Sequence, residues 1–554
     1  MKILRSIFVV GISILSLSQA AQYAYGQEQA TAATLTAPSF GWVNWGVLIG
    51  YLAAMVGIGG YFSRRESTSE DFFLAGGRIP WWAAGLSIYG TQLSAITFMA
   101  IPAIAFAPQG NWTKIVGGWT TLLLAPIIVY FYLPLFRRLK VQTAYEYLER
   151  RFHLSVRLIA SLIFITFQIG RMGVVLLLPA VAIAAATGSN VLTAVIVMGV
   201  LATTYTVLGG IEAVIWTDVV QVLVLVGGAA VCLCVAMFQI GGPVQLIQMA
   251  SAADKLTVFD WSSSPSEPST WVLFVGFFFI NLIAYTTDQT VVQRYLTTPD
   301  ERAAARSVWL NGLMTIPTGL LFLLLGTALW SFYESNPELA TPANVDQIVP
   351  WFVMRQLPAG IAGLVIAGIF AAAMSSLDSS MNSIASAAVN DFWIRLTGPT
   401  KPELEIRLAR FLTLLIGAVG TAMALVMAVS DIASLFDYFN LMLGMLGGGL
   451  SGIFILAVFT TRANWIGAIF GLIAGAIATA IVQFDSSVHV YLAGAAGTLT
   501  CVTIGYVASR VTPASQIDLQ GLTIHTQINR SDPQGDANVA TPIPSDSKLD
   551  SSLR

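Results

Sequence analysis

Long apolar segments, separated by short polar stretches, occupy most of the chain. Thirteen of them are centred near residues 52, 94, 124, 171, 199, 226, 279, 319, 370, 419, 446, 474 and 499. A helix needs about 20 residues, most of them apolar, to cross the hydrocarbon core of a bilayer. The pattern therefore predicts an all-α integral membrane protein, with about 13 transmembrane helices in one domain at residues 43–510.

The two ends of the chain do not share this pattern. Residues 1–26 combine Lys2 and Arg5 with a short apolar run and then small residues, which is the layout of a signal peptide that is removed. A retained short anchor is the alternative. Residues 27–42 are then an extracytoplasmic N-terminal segment. Residues 511–554 are polar and rich in Ser, Asp, Gln and Pro, which predicts a disordered cytoplasmic tail.

The charges in the loops predict the orientation. With the N-terminus outside and an odd number of spans, seventeen Arg and Lys residues fall in loops assigned to the cytoplasm, against Lys114, Lys255 and Arg355 outside. Positively charged loops are retained in the cytoplasm. We therefore expect a multi-pass membrane protein with its N-terminus outside and its C-terminus inside.

Composition excludes other classes of protein. Of the residues, 56% are hydrophobic and 10% are charged, whereas a soluble domain has about 25% charged residues. No basic stripe with interleaved aromatic residues suggests a nucleic-acid partner. The three histidines, His153, His489 and His525, fall in loops or in the tail, and no nucleophile or metal-binding spacing accompanies them. An enzyme is therefore not expected.

Three charged residues interrupt apolar spans: Arg171, Asp218 and Asp378. An ionisable side chain at the centre of a spanning helix costs roughly 2.5 to 3.5 kcal/mol on insertion scales, so such residues usually face a cavity and bind something charged. Arg171 offers a planar, two-pronged donor that fits a carboxylate. The alternative is an internal salt bridge to Asp218 or Asp378. Asp218 itself either lies at the interface or meets the ninth span.

The second span has small and polar residues where a continuous helix is expected to be apolar. Gly90, Thr91, Gln92, Ser94 and Thr97 lie at its middle. Carriers interrupt spanning helices at such points and expose backbone carbonyls to a cation. The alternative is an unbroken helix that uses small polar residues for packing.

The ninth span has one polar face. At about 100° per residue, seven polar side chains fall within an arc of roughly 160°. Hard oxygen ligands such as these suit a hard cation such as sodium. Back-bonding of the hydroxyls to their own helix is the alternative, but it leaves Asp378 without a partner. The seven are Ser375, Ser376, Asp378, Ser379, Asn382, Ser383 and Ser386.

Five separated motifs together resemble the sodium:solute symporter family over residues 43–510. The stretches at residues 93–97 and 167–173 are most similar to those of bacterial sodium-coupled sialic acid transporters. The resemblance implies a leucine-transporter-like fold of two inverted five-helix repeats, near residues 80–240 and 270–460, with flanking helices. The motifs are Asp71-Phe-Phe-Leu-Ala-Gly-Gly-Arg, Ala144-Tyr-Glu-Tyr-Leu-Glu-Arg-Arg-Phe, Gly209-Gly-Ile-Glu-Ala-Val-Ile-Trp-Thr-Asp, Asp288-Gln with Gln293-Arg, and Ser375-Ser-Leu-Asp-Ser.

The same resemblance implies one or two co-transported sodium ions. The first would bind the carbonyls of Gly90, Leu93 and Ala372 and the hydroxyls of Ser375 and Ser376. A second sodium site would use Asp218, Ser375, Asp378 and Ser379. In this chain Asp378 stands where the family pattern has a serine. The additional carboxylate either strengthens binding of the second ion or binds a proton, so the number of ions stays open.

For the solute, the resemblance implies a carboxylate that meets Gln92, Ser94, Thr97 and Arg171, with Asn281 as a further contact.

The expected function is a sodium-coupled symporter that imports a small organic solute, such as sialic acid, by alternating access and works as a monomer. A sugar, an amino acid or a short monocarboxylate is the alternative cargo. A sensor or channel without coupled transport is the alternative function.

Overall fold

A computed structural model describes residues 40–62, 68–342, 344–398, 400–430 and 435–526. The predicted signal peptide at 1–26 and most of the segment at 27–42 lie outside the described residues. The described part is almost entirely helical, which agrees with the all-α prediction. Its helices are α1 Trp42–Phe62, α2 Ser69–Leu74, α3 Trp81–Gln92, α4 Ala95–Phe106, α5 Val116–Ile127, α6 Leu133–Arg138, α7 Ala144–Arg151, α8 Leu154–Thr187, α9 Val191–Gln239, α10 Pro243–Ala252, α11 Thr270–Thr286, α12 Gln289–Leu296, α13 Glu301–Ser335, α14 Ile348–Gln356, α15 Ile361–Ala387, α16 Pro402–Ala428, α17 Leu435–Phe459, α18 Trp465–Phe484 and α19 Ala493–Val511.

The number of spans differs from the predicted thirteen. In the described part of the chain, nine helices are long and apolar enough to cross a membrane, or up to eleven if each of two bent helix pairs is one span. The difference has two sources. The 49-residue helix α9 counts once, although its backbone breaks at Gly210 (φ 47°, ψ −153°). In α17, only Gly447–Phe459 counts, as a shorter apolar helix.

The second span is broken, as its sequence predicts. Helices α3 and α4 meet at Leu93 and Ser94, whose backbones are not helical, and the two axes differ by 58°. A second break separates α11 from α12 at Thr287 and Asp288, with a bend of 52°. Each break leaves backbone groups without their usual helical partners inside the protein, where they can bind a ligand.

Helix α15 forms the centre of the molecule. Its most apolar 18-residue window is 89% buried, far more than that of any other span in the described residues. It packs against α1, α8, α9 and α16. Because α15 has protein on all sides, its polar face contacts other helices and not lipid.

Close helix contacts hold the broken span in place. A Cβ atom added at Gly326 of α13 would lie 2.1 Å from the carbonyl oxygen of Pro102 in α4. Only glycine allows the two backbones to approach so closely. The sequence of α13 thereby fixes the position of α4, the outer half of the broken helix.

The structure differs from the predicted disordered tail in its first part. Residues 513–526 lie against the ends of α7 and α17, where the Tyr147 hydroxyl donates to the Leu522 carbonyl (2.9 Å) and the Ile524 amide donates to the Val458 carbonyl (3.1 Å). Leu522 and Thr523 are buried. A polar segment can order in this way when its backbone finds partners on a folded surface. Residues 527–554 lie outside the described residues.

Candidate functional site

Four of the five groups predicted for the first sodium site lie together at the break of the second span. The Ser375 hydroxyl is 3.2 Å from the Gly90 carbonyl and 3.3 Å from the Ala372 carbonyl. The Ser376 hydroxyl is 3.5 Å from the Ala372 carbonyl. The fifth, Leu93, is the buried residue that caps α3. The break therefore places carbonyl and hydroxyl oxygens around one point, as a hard monovalent cation requires.

The second predicted sodium site is occupied in part by a positively charged side chain, that of Arg294. The Arg294 guanidinium donates through Nη2 to Asp218 (2.9 Å) and to the Ser379 hydroxyl (2.6 Å), and through Nε to the Ser87 hydroxyl (2.6 Å). Arg294 and Asp218 are both fully buried. The positive-inside count placed Arg294 in a cytoplasmic loop. That assignment is wrong, because the side chain is enclosed between α3, α9, α12 and α15.

Asp378 faces the same region and has hydroxyl partners. Its carboxylate accepts a hydrogen bond from the Tyr205 hydroxyl (2.8 Å) and lies 3.3 Å from the Ser379 hydroxyl. One oxygen of Asp218, Oδ1, has no hydrogen-bond partner in the described part of the chain. Arg294 pairs with Asp218 and forms no ion pair with Asp378 among the described residues, so an ionised Asp378 requires a further cation. A buried charge of this kind is costly unless a cation accompanies it.

Arg171 is buried, as expected for a functional charge, but its partner differs from both aspartates that the sequence suggested. Its Nη2 donates to the Thr91 carbonyl at the end of α3 (3.0 Å), and its Nη1 lies 3.6 Å from the Asp288 carboxylate. Asp288 caps α12 and also accepts from the Gln168 amide (3.0 Å). Arg171 therefore contacts both broken helices at their breaks. Its Nε has no hydrogen-bond partner among the described residues.

A cavity of about 310 Å³ lies beside the broken span. Three predicted solute contacts line it: Gln92, Thr97 and Asn281. Arg171 and Ser94 are buried and are not part of its described surface. The predicted solute residues therefore fall into two groups, three at the cavity wall and two behind it.

Aromatic, aliphatic and small residues form the rest of the cavity wall, and its aromatic residues include Tyr89, Phe277, Tyr285 and Tyr491. Lys114 also lines the cavity. A largely apolar concave site with a few polar groups is typical of small-molecule binding.

Four residues of this site were not predicted as ligands or partners from the sequence. Asp288 and Arg294 belong to a motif of the resemblance, and both are charged residues within or next to the seventh apolar segment, which was a signal of burial. Lys114 read only as a loop charge. Tyr205 carried no signal, because a tyrosine in an apolar span is usually a packing residue.

Comparison with known proteins identifies the family to which the chain belongs. The family model for the sodium:solute symporter family matches residues 72–475. The sodium/sialic acid symporter SiaT of Proteus mirabilis is 39% identical over 485 residues, which cover 87% of this chain and 97% of that protein. The sodium/sialic acid symporter NanT of Aliivibrio fischeri is 39% identical over 480 residues, which cover 86% and 94%.

A solved structure is similar as well. It is the substrate-bound outward-open state of a Na⁺-coupled sialic acid symporter, with a TM-score of 0.81 and 37% identity, and the match covers 86% of this chain and all of that one. The likeness confirms the expected leucine-transporter-like fold class. The family match extends over both broken helices and over the polar face of α15. The chain is therefore a member of the sodium:solute symporter family.

Proposed function

We propose that the protein is a sodium-coupled symporter that imports a small organic anion of the sialic acid class by alternating access. The observation that carries this proposal is the meeting of the Ser375 and Ser376 hydroxyls with the Gly90 and Ala372 carbonyls at the broken span, next to a cavity of the size of a small solute. The two sodium/sialic acid symporters, each 39% identical, support the choice of ion and solute.

Sodium binding stabilises the arrangement in which solute can enter. The oxygens of Gly90 and of Ala372, Ser375 and Ser376 belong to two helices, α3 and α15. A cation between them holds the two helices together, and without it their oxygens must hydrogen-bond to one another or remain unpaired. Sodium thus shifts the population toward the form whose cavity is complete. Solute binding then closes the outer side, and sodium leaves on the inner side.

A second sodium belongs near Asp378. The Arg294 guanidinium pairs with Asp218, and Asp378 has no cationic partner among the described residues. A sodium ion held by Asp378, the Ser379 hydroxyl and the unpaired Oδ1 of Asp218 supplies the missing charge. Ser375 connects the two sites, because its carbonyl accepts from the Ser379 hydroxyl (2.6 Å) while its own hydroxyl belongs to the first site.

The solute lies in the cavity against Gln92, Thr97 and Asn281. Asn281 already donates to the Thr120 hydroxyl (3.0 Å), so its amide is held in place with its oxygen open to the cavity. Arg171 is not part of the described cavity wall. It binds the solute carboxylate only if that carboxylate replaces Asp288 as its partner. Ser94 caps α4 at the break and supplies its hydroxyl in the same rearrangement.

We place the protein in the bacterial inner membrane as a monomer, with its N-terminus outside and its C-terminus inside. The cavity is then open toward the outer end of the helices. Its lining includes Lys114 and Tyr491, both at ends assigned outside by the loop charges.

The test is uptake of radiolabelled N-acetylneuraminic acid into proteoliposomes with an imposed sodium gradient. Accumulation is expected with sodium outside, and little is expected with potassium or choline. Ser375→Ala removes one oxygen of the first site and should raise the sodium concentration for half-maximal uptake about tenfold, the loss of roughly 1.4 kcal/mol of ion binding. Ser386→Ala is the matched control, because Ser386 is a buried serine on the same helix, three turns away.

Equal uptake in potassium rejects sodium coupling. Equal sodium dependence of Ser375→Ala and Ser386→Ala rejects the location of the first site. A thermal-shift panel of acids, sugars and amino acids, run with and without sodium, identifies the cargo if N-acetylneuraminic acid is not taken up. Accumulation above the outside concentration separates a carrier from a channel.

A further inference from the structure

Lys114 is a cation at the wall of the solute cavity, and no carboxylate neutralises it. It lies in the one-turn helix Thr113–Ile115 that leads into α5. Among the described residues, the cavity wall contains Lys114 and no acidic side chain, and no ion pair involves Lys114. Arg171 is by contrast paired with Asp288 behind the wall. The positive charge that faces an entering solute is therefore that of Lys114.

The surroundings of Lys114 hold it in position without satisfying its charge. Its ammonium lies 5.7 Å from the centre of the Tyr491 ring, and Tyr491 in turn packs on Phe277 with ring centres 5.2 Å apart. A ring face attracts a cation only weakly where water is near. Hydrogen bonds fix the preceding loop, since the Trp112 indole donates to the Thr327 hydroxyl (3.0 Å) and the Trp112 amide to the Thr257 carbonyl (3.0 Å).

The neighbouring histidine adds no second charge at neutral pH. His489 stacks on Tyr491 with ring centres 4.9 Å apart. Burial and the nearby charge of Lys114 lower the pKa of His489 below its ordinary value. The lowered pKa favours the neutral imidazole, and Lys114 is the one cationic side chain on the described lining of the cavity.

We infer that Lys114 is an anion-binding residue of the solute cavity, whose ammonium selects a solute with a carboxylate over the same solute without its charge. The inference rests on the proposed function as a solute carrier, and it adds a subsite that is separate from Arg171. A single unpaired cation in a concave site with low-dielectric walls concentrates anions and repels cations. Lys114 thus binds the carboxylate while the cavity is open, before any rearrangement exposes Arg171.

The first experiment compares binding of N-acetylneuraminic acid and of its uncharged methyl ester to the purified full-length protein in sodium, by calorimetry. The wild type should bind the acid at least about tenfold more tightly than the ester. Lys114→Met should weaken binding of the acid about tenfold and leave binding of the ester nearly unchanged. Lys114→Arg should keep most of the preference, because it retains the charge. Lys140→Met, which removes an exposed lysine from the loop after α6, is the control.

The second experiment needs no solute. Ile115→Cys places a thiol on the cavity wall next to Lys114, in a Cys234→Ser background that removes the one exposed native cysteine; Cys232 and Cys501 are buried. The ratio of labelling rates by the anionic sulfonatoethyl and the cationic trimethylammonioethyl methanethiosulfonate reagents reports the local potential. Lys114→Met should lower this ratio about fivefold or more.

An unchanged acid-to-ester preference in Lys114→Met overturns the inference, and so does an unchanged labelling ratio. Transport of an uncharged solute also overturns the inference about Lys114, although it leaves the proposal of sodium-coupled symport intact. If uptake of the acid proves independent of sodium, the proposed function fails, while the labelling ratio still decides the role of Lys114.

Discussion

Asp218 and Arg294 form an ion pair with no exposed side-chain surface, inside the region where the sequence predicts a second sodium site. The guanidinium also donates to Ser87 and Ser379 and to the Thr290 carbonyl. It therefore has nearly all of its hydrogen bonds satisfied within the protein. A buried pair of this kind adds little stability over an apolar pair, but removal of one member leaves the other charge buried and unpaired.

We predict that Asp218→Asn and Arg294→Gln each lower the free energy of unfolding by about 3 to 5 kcal/mol, and that the double variant loses clearly less than the sum. Thermal or detergent unfolding of the four proteins, in the absence of sodium, gives this comparison. Additive effects would contradict the pairing. The residual activity of the double variant then shows whether the pair also serves transport.

Several residues of the site could be predicted from the sequence, but the contacts between them could not. The cluster around Gly90 and the polar face of α15 are local patterns, so their sequence reveals them, and the structure brings Gly90, Ala372, Ser375 and Ser376 together. The partner of Arg171 depends on the depth and rotation of three helices. Asp218, Asp288 and Asp378 are equivalent candidates until those helices are packed, and the sequence suggested the two aspartates that interrupt apolar spans, Asp218 and Asp378.

At the scale of the elements, the segment at residues 513–526 acts as a strap across α7 and α17. Besides the contacts of Leu522 and Ile524, the Asn464 side chain donates to the Pro513 carbonyl (2.8 Å). A composition rich in polar residues predicted disorder here, because it offers little apolar surface to bury. Backbone groups supply the contacts instead, and a sequence pattern does not report on them.

A chain that ends after residue 511 should unfold at a temperature a few degrees below that of a chain that ends after residue 526, since it loses several buried hydrogen bonds of about 1 kcal/mol each and the buried Leu522 side chain. Tyr147→Phe removes the hydroxyl that binds Leu522. It should lower the unfolding temperature of the longer chain and have a much smaller effect on the shorter one. Equal effects in both chains would place the role of Tyr147 elsewhere.

At the scale of the whole molecule, the break in the second span could be predicted, whereas the number of crossings was not confirmed. A break needs only a short run of small and polar residues, and the second span has one. The number of crossings can be counted only when both ends of every span are found. In the long helix α9, two apolar segments are joined through Gly210 with no polar loop between them.

The proposed second sodium near Asp378 predicts how solute accumulation responds to the membrane potential. Two sodium ions with one monovalent anion carry one net positive charge inward. A potassium diffusion potential of 100 mV, inside negative, should then raise the accumulation ratio by up to about 50-fold, the equivalent of 2.3 kcal/mol per charge. Asp378→Asn removes the carboxylate proposed for the second ion and should reduce both the voltage response and the Hill coefficient for sodium, from about two toward one. Voltage-independent uptake by the wild type would limit the protein to one sodium per anion.

The single guanidinium of Arg171 touches the ends of two interrupted helices, one in each half of the molecule. Arg171 thereby links the two halves of the molecule at their breaks. A carboxylate that arrives from the cavity has the charge and shape of the Asp288 side chain and can be exchanged for it. In the exchange proposed above, the contact of Arg171 with Asp288 breaks when the solute carboxylate binds and remains in place without it, which ties the movement of the two halves to solute binding.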